Sequence, residues 1–328
     1  MAVYTHLTAD HLAALIAEYE VGDLVSAKGI AEGVSNSNWL IETSGGRFIL
    51  TMYERRIDTA DLPFFLGLLD HLAGKGCPVP RTIHDRSGAA YRTIEEKAVA
   101  LIEFLPGVSI DTPRPRQARA VGEALARIHL AAADYPAQRA NAMGPGAWRA
   151  MLADCSEAGL AGIDAALPAL VSSEHDELEA SWPQSLPRSV IHADLFPDNV
   201  LMLGDRVSGL IDFYFACNDI TAYDLAVTHA AWCFGPDGAF RPEIAAALMA
   251  GYEIARPLSA EERAALPVLA RGAAMRFLAS RAYDWLHTPA DALVTRKDPM
   301  AFARRLEFYV ARGDEAFPRA TARGMAAP

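Results

Sequence analysis

Three polar residues in one stretch carry the most informative spacing: Asp194, Asn199 five residues on, and Asp212 thirteen beyond that. Gly204-Asp205 lies between two apolar runs and reads as a two-residue hairpin turn. A hairpin there returns the chain, so Asn199 before its first strand and Asp212 at the end of its second meet at one end. One amide oxygen and one carboxylate suit Mg²⁺, a hard cation that takes one or two protein oxygens and completes its shell with water and phosphate. Asp194, on the same loop, faces that point without binding the metal. It stands where a base would accept or orient the proton of a hydroxyl attacking a phosphorus held in line.

Taken singly, each residue has a plainer reading: Asp194 as a turn carboxylate, Asn199 as a cap, Asp212 as an edge-strand carboxylate. The combination favours the chemical reading. His192 is expected to fix the shape of the loop through hydrogen bonds rather than to move protons, and Asp224 to brace the following helix or the loop.

The elements that must hold these residues divide the chain. The first hundred residues read mostly as strands with one helix interposed, the remainder mostly as helices with one strand pair in the middle. Residues 1–105 are therefore expected to form one lobe and 106–328 another, with a hinge near 103–107 at Pro106-Gly107. Residues 38–43 and 47–53, either side of Ser44-Gly45-Gly46, predict a hairpin, and 90–94 with 98–104 predict a second around Glu95-Glu96-Lys97. Asp58 is placed to cap a helix over 59–73. An amphipathic helix is expected over 115–132, with Val121, Leu125 and Ile128 on one face. Further helices are expected near 146–155, 172–181, 222–233, 240–254, 260–287 and 299–312, and residues 319–328 are expected to fray.

Composition narrows the classes. Hydrophobic residues make up 52% and charged residues 22% of the 328, an ordinary globular balance that argues against disorder. Thirty basic against 41 acidic side chains leave a formal charge of −11, which gives nucleic acid no basic footprint to bind. The four cysteines, Cys77, Cys155, Cys217 and Cys233, show no C-x-x-C spacing and are expected to be buried, reduced thiols of a cytoplasmic protein. No signal peptide or membrane span is expected.

His-x-Asp, four residues, Asn, and an Asp thirteen further on after a hairpin is the layout of a protein-kinase catalytic loop and metal-binding segment. Together with the phrases at 29–38, 47–54, 61–67 and 191–219, it makes the chain resemble the aminoglycoside phosphotransferase and choline kinase superfamily over nearly its whole length. Within that superfamily it looks most like the bacterial homoserine kinases of the aminoglycoside phosphotransferase type. The resemblance implies an α+β, protein-kinase-like fold of two lobes, a small and mainly antiparallel β N-lobe and a larger, mostly helical C-lobe. It implies ATP and Mg²⁺, with Asp194 as base and Asn199 and Asp212 as metal ligands. Gly33, Ser35, Asn36 and Asn38 would belong to a turn covering the phosphates. Glu103, Phe104 and Leu105 would offer backbone to the adenine edge, with Ile49 and Ile211 on its faces.

The pattern departs from protein kinases at the third strand, where the lysine that pairs with the phosphates is replaced by Thr51. Either another cation such as Lys28 reaches the phosphates from the neighbouring strand, with Arg55 and Arg56 behind it, or Mg²⁺ and loop amides serve without one. The implied acceptor, L-homoserine, needs a cation for its carboxylate and oxygens for its ammonium. Arg276 and Arg281 are the candidates for the first, and their five-residue offset on a helix leaves at most one pointing inward. Tyr214 and Asp219 are the candidates for the second. Two other readings stay open at this point: a kinase of another small alcohol (an aminoglycoside, choline or a sugar alcohol), and a nucleotide-binding module without catalysis.

Overall fold

The computed structural model describes residues 7–30, 36–54, 58–289 and 296–317. A short helix, α1 (Ala9–Ile16), is capped by the Thr8 hydroxyl and leads into an antiparallel sheet. The sheet comprises β1 (Leu24–Ile30), β2 (Asn36–Thr43), β3 (Gly46–Tyr53) and, after helix α2 (Leu62–Gly74), β4 (Thr82–Ile83), β5 (Arg92–Ile94) and β6 (Lys97–Glu103). Its order is β1-β2-β3-β6-β4, with β5 also paired to β6. Asp58 caps the single 3₁₀ turn that precedes α2. Glu95 and Glu96 both take positive φ between β5 and β6, the conformation a two-residue hairpin demands.

Period-two alternation divides the sheet residues between two cores. Trp39, Ile41, Leu50, Met52, Val99 and Leu101 pack on α1, while Tyr53, Ala98, Ala100 and Ile102 join the main core with α2. Cross-strand partners share a face, so the register sets Lys28, Leu40, Ile49 and Ile102 in one row and Ile30, Asn38, Thr51 and Ala100 in the next. These two rows look away from α1.

After Glu103 the chain is mostly helical: α3 (Pro115–Ala131), α4 (Pro145–Cys155), α5 (Glu157–Ile163) and α6 (Leu167–Ser181) precede two short ribbons. The ribbon strands are β7 (Arg188–Ile191), β8 (Val200–Leu203), β9 (Arg206–Leu210) and β10 (Cys217–Ile220); β8 pairs with β9 and β10 with β7. Helices α7 (Thr221–Trp232), α8 (Pro242–Ala255), α9 (Ala260–His287) and α10 (Met300–Ala316) complete the body. A capping box between Ser259 and Glu262 starts the 28-residue α9. Helices α3 and α8 cross where each presents a glycine: a Cβ on Gly122 would meet the Leu248 carbonyl at 2.1 Å, and one on Gly251 the Arg119 carbonyl at 2.0 Å.

The link from sheet to helices lies across the β8–β9 ribbon. Val108 and Met202 exchange both backbone hydrogen bonds, at 3.1 and 2.9 Å. Gly107 has φ 147°, and a Cβ there would strike Ser208 Oγ at 2.4 Å; a Cβ on Gly209 would strike Leu105 at 2.8 Å.

Four expectations change, the first being that α5 fills the gap left between the helices expected over 146–155 and 172–181. A second helix, α1, precedes the sheet, and two strand pairs rather than one interrupt the helical part. Strands β7 and β10 are four residues each, 25 residues apart and largely buried, so they carry no alternation to read. Cys77 is half-exposed, whereas Cys155, Cys217 and Cys233 are buried; all four are free thiols. The expected fraying of 319–328 falls outside the described residues, among which no helix is long and apolar enough to cross a membrane.

Candidate active site

The loop between β7 and β8 is held from behind by a buried carboxylate. Asp224, near the start of α7, accepts from the backbone N–H of His192 and of Ala193, both at 2.7 Å. Those bonds hold Ala193 at φ 64°, a left-handed conformation that costs a non-glycine residue about 1 kcal/mol or more. Burial alone would raise the Asp224 carboxyl, but the His129 hydrogen bond at 2.9 Å and the loop amide that donates to it keep it below the usual carboxylate range. His129 reaches on to the Tyr252 hydroxyl at 2.7 Å, so the chain of bonds runs from α8 through α3 to the loop.

His192 lies fully buried between the two halves of the site. Its Nε2 is 3.0 Å from the Ile211 carbonyl and its Nδ1 3.2 Å from the Asp194 N–H. A neutral ring protonated on Nε2 satisfies both, and burial lowers its pKa in keeping with that form. The Ile211 N–H donates to the Asn199 carbonyl at 3.0 Å, and Asp212 then adopts φ 65°. Asn199 Nδ2 donates to the Asp194 carbonyl at 2.8 Å and lies 3.4 Å from its carboxylate. Asp194, Asn199 and Asp212 therefore gather at one end of the β8–β9 hairpin.

The electrostatics suit a cation. Desolvation is the main cause that pushes the Asp194 carboxyl up to about 7, with Arg276 opposing and Asp212 adding to it. Desolvation and Asp198 push Asp212 up to about 6. Asp212 is open to solvent yet ringed by protein, the situation of a group on the floor of a cleft. With its Nδ2 committed to the loop, Asn199 has its amide oxygen left to give. One such oxygen plus one under-compensated carboxylate fits a Mg²⁺ ion that arrives with phosphate.

On the sheet side, Thr51 is buried and donates to Asn38 Oδ1 at 2.8 Å. Behind it the hydroxyls of Tyr53 and Tyr214 meet at 3.1 Å, and burial raises the Tyr214 phenol to about 12. Neutral hydroxyls thus occupy the region where a protein kinase keeps its lysine. Lys28 is exposed on edge strand β1, on the face that carries Ile49 and Thr51. Ile49 and Ile211 are half-buried, as are Glu103, Phe104 and Leu105; Glu103 is tied to Arg81 through its own N–H and carboxylate. Asn36 is buried at the start of β2. Gly33, Ser35, Arg55 and Arg56 lie outside the described residues.

The acceptor-side candidates fall differently. Arg276 is 2% exposed, donates to the Ala193 carbonyl and lies between the Phe215 and Phe277 rings; it supports the loop from beneath. Arg281 turns toward α10, donating to the Asp298 carbonyl at 3.2 Å over the Phe302 ring, and desolvation lowers it to about 10. The Asp219 carboxylate is already engaged by Asn141 at 2.6 Å and Arg188 at 2.9 Å. Sequence reasoning missed Tyr53, His129 and Lys297, and also Arg139, which joins Asp61 at the head of α2 to the Ala216 carbonyl four residues after Asp212. None of the four stands in a short motif; the hydrogen-bond and ion-pair partners of their side chains are 77 or more residues away in the chain.

An antiparallel sheet set over a helical body, with an aspartate, an asparagine and a second aspartate gathered beneath it, defines a two-lobed phosphotransferase. The model of the phosphotransferase enzyme family matches residues 26–258. A homoserine kinase of Gluconobacter oxydans is 52% identical over 311 residues, 94% of this chain and 98% of its own length. One of Acidiphilium cryptum is 51% identical over 319 residues, 96% and 99%. The chain belongs to the phosphotransferase enzyme family and, within it, to the homoserine kinases. Among solved structures, amicoumacin kinase in complex with AMP-PNP shares the fold, with a TM-score of 0.72 at 14% identity over 93% of this chain and 94% of that one.

Proposed function

We propose that the chain transfers the γ-phosphoryl group of ATP to the side-chain hydroxyl of L-homoserine, giving O-phospho-L-homoserine and ADP. The observation that carries this reading is identity of about one half with homoserine kinases across nearly the full length, which takes in the helical region where an acceptor must bind. Asp194 takes the hydroxyl proton as the oxygen attacks phosphorus and the bond from phosphorus to the β-γ bridging oxygen breaks toward ADP. Asn199 and Asp212 would hold Mg²⁺, which when bound screens the charge of the phosphates. His192 and Asp224 keep the base and the ligands in register. The half-buried faces of Ile49 and Ile211 supply apolar surface for the adenine, beside the backbone of Glu103 to Leu105. On the same grounds we set the lobe boundary between 105 and 106.

ADP release measured with homoserine, an aminoglycoside, choline and a sugar alcohol tests the reading. Turnover that depends on homoserine and Mg²⁺ is expected; turnover with another alcohol alone, or ATP binding with no acceptor active, refutes it.

A further inference from the structure

The acceptor's charged head still needs a receptor, because Arg276 is 2% exposed beneath the loop and Asp219 is engaged by Asn141 and Arg188. Beside the base lies an ion pair that the fold itself hardly needs. Lys297, just before α10, stands 3.8 Å from Asp198, with side chains 58% and 65% exposed. An exposed pair this loose adds little to stability and is cheap to open. Its position is nonetheless well fixed. Lys297 Nζ lies 5.7 Å from the centre of the Phe196 ring, and Phe196 packs on Phe277 at 4.8 Å and on Phe302 at 6.1 Å. Arg281, over Phe302, holds the carbonyl of the very next residue, Asp298. On the other side, the Phe196 N–H donates to the Asp194 carbonyl at 2.8 Å, and Asp198 directly precedes Asn199.

The pair therefore stands at the end of the loop that packs on α9 and α10, four residues along from the base. Its two charges also reach the reacting groups: Lys297 lowers, and Asp198 raises, the pKa of both Asp194 and Asp212. Opposite charges a few ångströms apart are the complement of an α-amino acid, whose ammonium and carboxylate sit on one carbon. Resting on the activity proposed above, we infer that the Asp198–Lys297 pair opens to receive the acceptor's amino-acid head, Lys297 taking the carboxylate and Asp198 the ammonium.

Three alcohols separate the two contacts: L-homoserine, 3-aminopropan-1-ol, which lacks the carboxylate, and 4-hydroxybutanoate, which lacks the ammonium. Wild type is expected to prefer homoserine over both. Lys297→Met should raise KM for homoserine by about 10- to 100-fold, the scale of a lost charge-assisted contact, and collapse the preference over 3-aminopropan-1-ol, while KM for MgATP holds. Asp198→Asn should collapse the preference over 4-hydroxybutanoate instead, and Lys297→Arg should restore most of the first. If wild type uses homoserine but neither variant shifts these preferences, or Lys297→Met raises KM for MgATP instead, the pairing is overturned and the kinase assignment stands. A wild type that phosphorylates none of the carboxylated acceptors overturns both.

Discussion

Replacing Asp194 by asparagine should cut turnover sharply and stabilise the protein at the same time. The carboxyl, pushed up to about 7 from an ordinary 3.8 mainly by desolvation, must be ionised above neutral pH in a place that disfavours its charge. At ~1.4 kcal/mol per pKa unit that gap corresponds to about 4 kcal/mol, and water reaching a half-buried group reduces it to about 2 kcal/mol. An acid whose folded-state pKa is raised contributes stability that is complete below its unfolded value and is lost as pH rises toward the folded one. Wild type therefore loses this contribution between about pH 4 and pH 7, whereas the amide does not titrate. At an unfolding entropy of roughly 2 cal/mol/K per residue, 2 kcal/mol in a chain of this length is about 3 °C in Tm. Thermal melts of both proteins without nucleotide should show the asparagine variant ahead by about 3 °C at pH 8, with the gap narrowing steadily toward pH 4. Turnover should fall by about 10² to 10⁴, the scale of a lost general base. A variant less stable than wild type at pH 8, or a gap that ignores pH, would refute the desolvation argument; near-normal turnover would remove Asp194 from the chemistry.

Two further perturbations test the ligand end and the support behind it. Asp212→Ala should weaken binding of MgATP far more than that of metal-free ATP, as read by titration calorimetry; equal effects on the two would count against its role as a metal ligand. Gly251→Ala forces a methyl group into the Arg119 carbonyl and should cost about 1–3 kcal/mol, or roughly 2–5 °C in Tm. Because Tyr252, His129 and Asp224 relay that contact to the loop, kcat should drop while KM for MgATP is retained, and an unchanged kcat would disconnect the helix crossing from the loop.

The parts of the molecule legible in sequence are those whose signal is local. Gly204-Asp205 between apolar runs announced the hairpin that brings Asn199 to Asp212, and His-x-Asp announced the loop. Turn chemistry and alternation also located β2, β3, α2 and α3 to within a few residues. What escaped was set by partners far away in the chain. Thr51 reads as a missing lysine until the sheet places it against Asn38, with the Tyr53–Tyr214 pair behind it. Arg276 and Arg281 share a helix, yet only packing sends one under the loop and the other toward α10. Lys297 was invisible for the same reason, since nothing in its own neighbourhood of the sequence points to Asp198, 99 residues earlier.

The strap from Leu105 to Val108 has a mechanical corollary. Because it is laced to the ribbon that ends in Asn199 and Asp212, through the Val108–Met202 bonds and the tight seats of Gly107 and Gly209, a swing of the sheet relative to the helices must pivot upstream of that lacing. The ribbon is also tied to the other side, Leu210 N–H donating to the Pro78 carbonyl at 2.7 Å, so a swing that closes the sheet would load the end carrying Asn199 and Asp212 from two directions.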